Sequence, residues 1–184
     1  MTTIYVILGI LVVLLAWGIL SYNRFISFIN RAKEAWSDID IQLKRRYDLI
    51  PNLVNSVKGY AKHESETFDR VTQARAAAMG AQNIADKGKA ENMLTSSLKS
   101  IFAIAEAYPE LKANQNFLAL QTELSDTENK IQASRRFYNG NVRDLNIAIE
   151  AFPSNLIAKI FNFVKMELFT LDEEAAKKPV EVKF

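Results

Sequence analysis

The sequence predicts an all-α protein: an up-and-down antiparallel four-helix bundle carried on an N-terminal transmembrane helix. Three observations predict it. Residues Ile4 to Leu20, IYVILGILVVLLAWGIL, form an uncharged run of seventeen, twelve of them Leu, Ile or Val. Beyond that run, apolar residues recur every three or four positions, and no stretch of alternating β-branched residues interrupts them. Only 6 Gly and 4 Pro occur in 184 residues, a composition that favours helix over sheet.

The apolar run reads as a membrane span. Extended through Ser21 and Tyr22 it makes a helix of about 28 Å, close to the ~30 Å hydrocarbon core. Each Leu, Ile or Val favours insertion by roughly 0.3–0.6 kcal/mol. Tyr5 at one end, and Trp17 and Tyr22 at the other, suit the two interfaces. No basic segment precedes the run and no A-x-A site follows it, so it is read as a retained anchor rather than a cleaved signal peptide. With no Cys there is no lipoprotein attachment site. Before the run stand only Met1, Thr2 and Thr3; after it come Arg24, Arg31, Lys33, Lys44, Arg45 and Arg46. The positive-inside rule then places the N-terminus outside and the C-terminal domain in the cytoplasm, in a single pass.

The first bundle helix continues from the anchor with the stripe Phe25, Phe28, Ile29, Ala32, Trp36, Ile39, Leu43, Tyr47, Ile50. Pro51 suits a first helical turn and not an interior, which predicts a turn there. The second helix runs from Pro51 to Gly80 on the seam Val54, Val57, Ala61, Glu64, Phe68, Val71, Arg75, Ala78, with two charged interruptions. Gly80 and Gly88 bracket a polar loop. The third helix carries Leu94, Leu98, Ile101, Ala105 and Tyr108 and stops at Pro109. The fourth, from Glu110 to Phe152, has the stripe Phe117, Leu120, Leu124, Ile131, Tyr138, Val142, Leu145, Ile149, Phe152, and Pro153 ends it. Short connections make neighbours antiparallel. The chain divides into an anchor (1–23), a bundle (24–152), an amphipathic segment (153–171) and a flexible charged tail (172–184).

A net charge of +2 leaves no dominant basic patch, so nucleic acid is not expected as a partner. The absence of Cys excludes disulfides, Cys-based metal sites and thiol chemistry, and fits a reducing compartment. The single histidine, His63, shares a helix face with Glu66, but a carboxylate-bridged bundle site needs a second such pair and further Glu residues. No catalytic triad or Gly-rich phosphate loop can be assembled. The expectation is therefore no catalytic residue, no metal and no cofactor. Asp38 and Asp40 do not face each other on a helix and are read as solvated.

Two charged groups stand out: Arg45, Arg46 and Asp48, and Arg135, Arg136, Arg143 and Asp144. They read either as a surface for an acidic partner or anionic headgroups, or as inter-helix ion pairs. The ion-pair reading is preferred, with Asp48 in a partly buried pair with a fourth-helix arginine. Asn139-Gly140-Asn141 interrupts good helix formers, which points to close approach of a neighbouring helix at Gly140, with a functional kink as the alternative. Gly9 and Gly18 are nine apart, so the anchor has no GxxxG motif. In the C-terminal segment a helix to about Lys165 would place Leu156, Ile157, Ile160, Phe161, Phe163 and Val164 on one face, opposite Lys159, Asn162 and Lys165. That face either lies in the membrane interface or closes the end of the bundle core.

Two stretches are more specific than any period: Gln42 to Glu64, QLKRRYDLIPNLVNSVKGYAKHE, and Ser134 to Ala158, SRRFYNGNVRDLNIAIEAFPSNLIA. With the single N-terminal anchor they resemble the LemA family of bacterial membrane proteins over nearly the whole chain. The family's usual ending resembles Pro-x-Val-x-Phe; Pro179, Val182 and Phe184 are present, with Pro one residue farther from Val. The resemblance implies a helical bundle with one transmembrane helix in the bacterial cell (inner) membrane, and no established activity. Some members are linked to magnetosome formation, and some occur beside membrane proteases. The expectation is a non-enzymatic scaffold or interaction module at the cytoplasmic membrane; the alternative is a lipid-binding membrane-remodelling or envelope-stress protein. Expected partners are the lipid bilayer, membrane or cytoplasmic proteins, and a second copy of the chain.

Overall fold

The computed structural model describes residues 1–170. Among them every regular element is a helix: α1 (Thr2–Lys58), α2 (Ser65–Gly80), α3 (Ile84–Glu106), α4 (Pro109–Lys112), α5 (Gln115–Glu150) and α6 (Ser154–Ile160). The expected tail, 172–184, lies outside the described residues. The first part of α1 is long and apolar enough to cross a membrane. The chain divides into two compact units, Met1–Ile39 with Ala133–Leu168, and Asp40–Gln132 with Phe169 and Thr170.

The turn expected at Pro51 does not form; α1 runs through it to Lys58. A proline lacks the N–H that would bond the carbonyl four residues back, here that of Tyr47. The guanidinium Nε of Arg75 donates to that carbonyl at 2.7 Å instead. Arg75, one of the charged interruptions of the second seam, thus satisfies the group that Pro51 orphans. The chain turns at 59–64, after Gly59, so α2 begins at Ser65 rather than at Pro51. The seam itself is buried across the break, from Val54 and Val57 through Ala61 to Phe68, Val71 and Ala78.

In the second unit α1 and α2 run antiparallel: Tyr47 meets Arg75, and Lys58 Nζ lies 5.5 Å from the Phe68 ring centroid. Segments of α1 and α3 run in the same direction, Asp40 meeting Lys87 at 2.8 Å and Arg46 meeting Thr95 at 2.7 Å. Asp40 is therefore ion-paired, not simply solvated. Asn83 caps α3, its side chain accepting from the Asp86 N–H at 2.8 Å. Gly88, expected in a loop, sits in the first turns of α3, where a Cβ would meet the Thr170 carbonyl oxygen at 2.6 Å. That close approach lets the fully buried Phe169 lie against the helix. Gly140 has no such neighbour: among the described residues nothing lies within 4 Å of a Cβ built there, so the approach expected at Gly140 is absent.

In the first unit contacts advance along α1 as they retreat along α5. Trp36 meets Tyr138 at 5.3 Å between ring centroids, and Phe25 packs in one cluster with Leu145, Ile157 and Ala158. The two segments are antiparallel, and the end of α5 returns beside Trp17 and Ser21. Phe152, expected in the core stripe, is 80% exposed, because α5 stops at Glu150 and the turn before α6 directs its ring outward.

Candidate functional site

Among the described residues two places concentrate chemistry. The first, in the second unit, is a buried polar cluster. Arg46 (3% exposed) lies at the three-residue step between Leu43 and Ile50 and so falls inside the apolar stripe of α1. Its guanidinium reaches Glu91 at 3.3 Å, Glu128 at 3.2 Å and the Thr95 hydroxyl at 2.7 Å. Glu91 (1% exposed) also accepts from the Tyr47 hydroxyl. Burial raises the Glu91 carboxyl above its ordinary range, while the Tyr47 hydroxyl and the Arg46 charge pull it back. Burial, reinforced by the Glu91 hydrogen bond, raises the Tyr47 hydroxyl well above the usual phenol range. Every charge in the cluster has a partner, and the groups point at one another. This is the arrangement of a packing determinant rather than of a site open to substrate.

Of the sequence-selected charges, Arg45 pairs with Glu123 at the surface and Arg46 is the buried cation. Asp48 is exposed, so the partly buried ion pair expected of it is not formed; that role belongs to Arg46 and Glu91. In the first unit Arg135 is half-buried and Arg136 is exposed. Arg143 and Asp144 are exposed neighbours 4.0 Å apart. Sequence reasoning missed Glu91, Tyr47 as a hydroxyl donor, Thr95 and Glu128. A signal for Glu91 was present: stepping the α3 stripe back from Leu98 and Leu94 lands on it. Among the described residues no group of three or more His, Cys, Asp or Glu side chains is placed to hold a metal, and His63 is exposed.

The second place lies in the first unit, where α6 meets α1. The helix expected to reach Lys165 ends at Ile160. Asn162 adopts a left-handed conformation (φ 55°). The Phe163 N–H returns to the Ala158 carbonyl at 2.9 Å and the Asn162 N–H to that of Lys159 at 3.4 Å. These are the two bonds of a Schellman stop, with Asn in the position that glycine usually fills. The stop splits the expected apolar face. Ile157 and Phe163 turn inward, Phe163 stacking on Phe25 at 4.7 Å, while Leu156, Ile160, Phe161 and Val164 remain exposed. Phe161 nonetheless sets its edge on Tyr22 at 4.8 Å. Beyond the stop the backbone of the strap 163–168 is held by side chains of α5. Asn146 donates to and accepts from Met166 at 2.9 and 3.0 Å, and the Tyr138 hydroxyl donates to the Glu167 carbonyl at 2.8 Å. Burial raises the Tyr138 hydroxyl above the ordinary phenol range.

Beside this corner a cleft of about 280 Å³ is lined by Trp17, Ser21, Arg24 and Phe25 from one face of α1, and by Phe152 and Ser154 from the α5–α6 turn. Its lining combines one cation, Arg24, with aromatic walls, and the Ser154 Oγ is turned to the Ala148 and Ala151 carbonyls at 2.7 and 2.9 Å.

The LemA family profile matches residues 35–184. Protein LemA of Metamycoplasma hominis is 30% identical over 155 residues, covering 82% of this chain and 69% of that protein. Magnetosome protein MamQ of Magnetospirillum gryphiswaldense is 23% identical over 177 residues, covering 82% of this chain and 65% of that protein. Magnetosome protein MamQ 2 of Paramagnetospirillum magneticum is 24% identical over 195 residues, covering 92% and 71%. The chain thus spans about two thirds of the length of these relatives. With the family profile reaching from the middle of α1 to the last residue, the chain belongs to the LemA family.

Proposed function

We propose that this protein is a non-enzymatic scaffold or interaction module, held at the cytoplasmic face of the membrane by the apolar start of α1, with its N-terminus outside. The observation that carries this reading is α1 itself. One uninterrupted helix, Thr2–Lys58, bears the apolar run at its start and then supplies Phe25 and Arg46 to the two packed units. An anchor continuous with the packed body transmits position rather than acting as a loose tether. The contact directions in the second unit, α2 antiparallel and α3 parallel to α1, support an up-and-down four-helix bundle. The buried charges are engaged in packing, which favours a structural role over turnover. The magnetosome relatives are named for a structure, not for a reaction.

Topology is read by labelling, since the chain has no native Cys. Thr2→Cys should react with an impermeant maleimide in intact cells and Lys112→Cys should not; the opposite pattern overturns the cytoplasmic assignment. For the scaffold role, crosslinking in native membranes should return the same protein partner at near-stoichiometric yield from either side of the pair. Recovery of lipid alone favours the second reading, direct action on the bilayer, for which the exposed apolar corner at α6 speaks.

A further inference from the structure

The contacts along α1 measure depth. A Cβ built on Gly18 would stand 3.8 Å from Ile157 Cδ1, Phe161 sits on Tyr22, and Phe163 sits on Phe25. The chain from α6 into the strap therefore climbs α1 away from the apolar run, and α6 begins level with Trp17 and Ser21, at the run's end. At that level Phe152 (80%), Leu156, Ile160 (67%) and Phe161 are all exposed. Large apolar side chains grouped at one corner are costly in water. They are continuous with the lipid-facing side of the anchor, whose residues from Ile4 to Leu15 are equally exposed. Leu168 is exposed too, but its neighbour Glu167 is bonded to Tyr138, level with Trp36. Trp36 is roughly 21 Å beyond Tyr22 along the helix, so Leu168 stands clear of the bilayer.

We propose that the α5–α6 corner is an interfacial foot. Phe152, Leu156, Ile160 and Phe161 embed in the leaflet where α1 emerges, and the adjoining cleft seats the phosphate of an anionic phospholipid on Arg24. Charge complementarity selects the occupant. Arg24 makes a cation–π contact with Phe28, 5.3 Å from the ring centroid, and that contact leaves its donors available. Ser21 lines the same cleft, and Lys159 is exposed on α6. At about 280 Å³ the cleft matches a headgroup rather than a whole lipid, and Trp17 and Phe152 form the wall along which an acyl chain would leave. A foot on the same leaflet as the anchor would fix the tilt and rotation of α1, which a single span leaves free.

The inference rests on the membrane anchoring proposed above, and the test separates the two. The full chain, carrying one environment-sensitive dye at a single introduced cysteine, is reconstituted into phosphatidylcholine vesicles with brominated acyl chains. Dye at Phe152→Cys, Leu156→Cys and Ile160→Cys should be quenched as Val12→Cys is, and dye at Ser37→Cys should not. Quenching at Val12→Cys without quenching at the three corner sites overturns the foot and leaves the anchor standing. No quenching at Val12→Cys overturns the membrane reading itself. Lipid-independent disulfide crosslinking through Phe152→Cys assigns the corner to a second copy of the chain and overturns the foot. For the seat, Arg24→Gln should lower the phosphatidylglycerol-to-phosphatidylcholine ratio of co-purified lipid about fivefold, the effect of one cation at an anionic surface. Arg31→Gln, ~10 Å farther along the helix, should leave that ratio unchanged. Equal retention of the two lipids by the unaltered chain overturns the seat.

Discussion

Around Phe25 the chain packs rings, and around Arg46, farther along the same helix, it packs charges. In the first unit Tyr22, Phe25, Phe161 and Phe163 stack in a chain of ring contacts, and the core beside them is Leu145, Ile157 and Ala158. In the second unit Arg46, Tyr47, Glu91, Thr95 and Glu128 form one connected polar cluster. Apolar contact is strong and non-directional. The ring-packed unit therefore needs separate devices to fix the end of α6 and the strap 163–168: the Asn162 stop, the two-way bond between Asn146 and Met166, and the bond from Tyr138 to Glu167. Ion pairs and hydrogen bonds are directional, so the cluster at Arg46 sets the register of α1 against α3 by its own geometry. Rings need no polar partner, whereas a buried charge demands paired groups that replace the water it has lost, as Glu91, Glu128 and Thr95 do for Arg46.

The comparison breaks most openly on truncation and rescue. Phe25→Ala removes a fully buried ring and should cost about 3–5 kcal/mol. Arg46→Ala strands the Glu91 carboxylate and should also cost about 3–5 kcal/mol. The two losses differ in what restores them. Replacing Arg46 and Glu91 together by Met and Leu should recover most of the second loss, because the desolvation of both charges disappears. Denaturant unfolding of the full chain in detergent, followed by circular dichroism, measures both. A double variant no better than Arg46→Ala would show that the cluster contributes net stability and not register alone.

The comparison sharpens at Pro51. Arg75→Ala leaves the Tyr47 carbonyl without a partner and should cost about 1–3 kcal/mol. In a Pro51→Ala background the restored backbone N–H takes over that carbonyl, and the same change should cost less. Equal costs in the two backgrounds would reject the link between Pro51 and Arg75. This pair also shows where sequence reading stops. Proline as a helix breaker is a local rule, and a guanidinium arriving from another helix overrides it. The stripes were legible because burial follows period: Ile39, Leu43 and Ile50, or Leu94, Leu98 and Ile101, are buried as spacing demands. The apolar start of α1 was legible because it is seventeen uncharged residues without a helix breaker. Partner choice was not legible. Arg46 and Asp48 are two residues apart in one charged segment, and only the packing of α3 decides which of them is inside. Asn162 was read as one polar face residue because a left-handed stop has no period.

A smaller effect separates the units by pH. The folded protein holds the Glu91 proton more tightly than the unfolded chain does, because burial disfavours the carboxylate. The stability Glu91 contributes is therefore full below the unfolded carboxyl value of about 4.5 and is lost as pH rises through its higher folded value. Glu91→Gln removes that decline. Unfolding midpoints measured upward from pH 4.5 should fall in the original chain relative to the variant. Phe25→Ala should leave the pH profile parallel to the original, since no titrating group is lost. A midpoint of the original chain that instead rises with pH relative to Glu91→Gln would mean that Arg46 and Tyr47 more than offset the burial of the charge.

The smallest effect is the most discriminating, because it sets Asp48 against Arg46 on one helix. Both lie in the charged segment Lys44 to Asp48, and the partly buried inter-helix pair was expected of Asp48. Asp48 is exposed, so its removal strands no buried cation and exposes no cavity. Asp48→Ala should therefore change stability by less than about 1 kcal/mol, the scale of a surface charge. Added to Arg46→Ala, it should be additive, since two groups without a shared partner do not couple. If Asp48→Ala cost as much as Arg46→Ala, Asp48 would have to be buried by a partner that covers its face. The charged segment would then be an interface as well as a packing element. The same measurement thus tests whether the outward side of the segment is free for the partner that the scaffold reading requires.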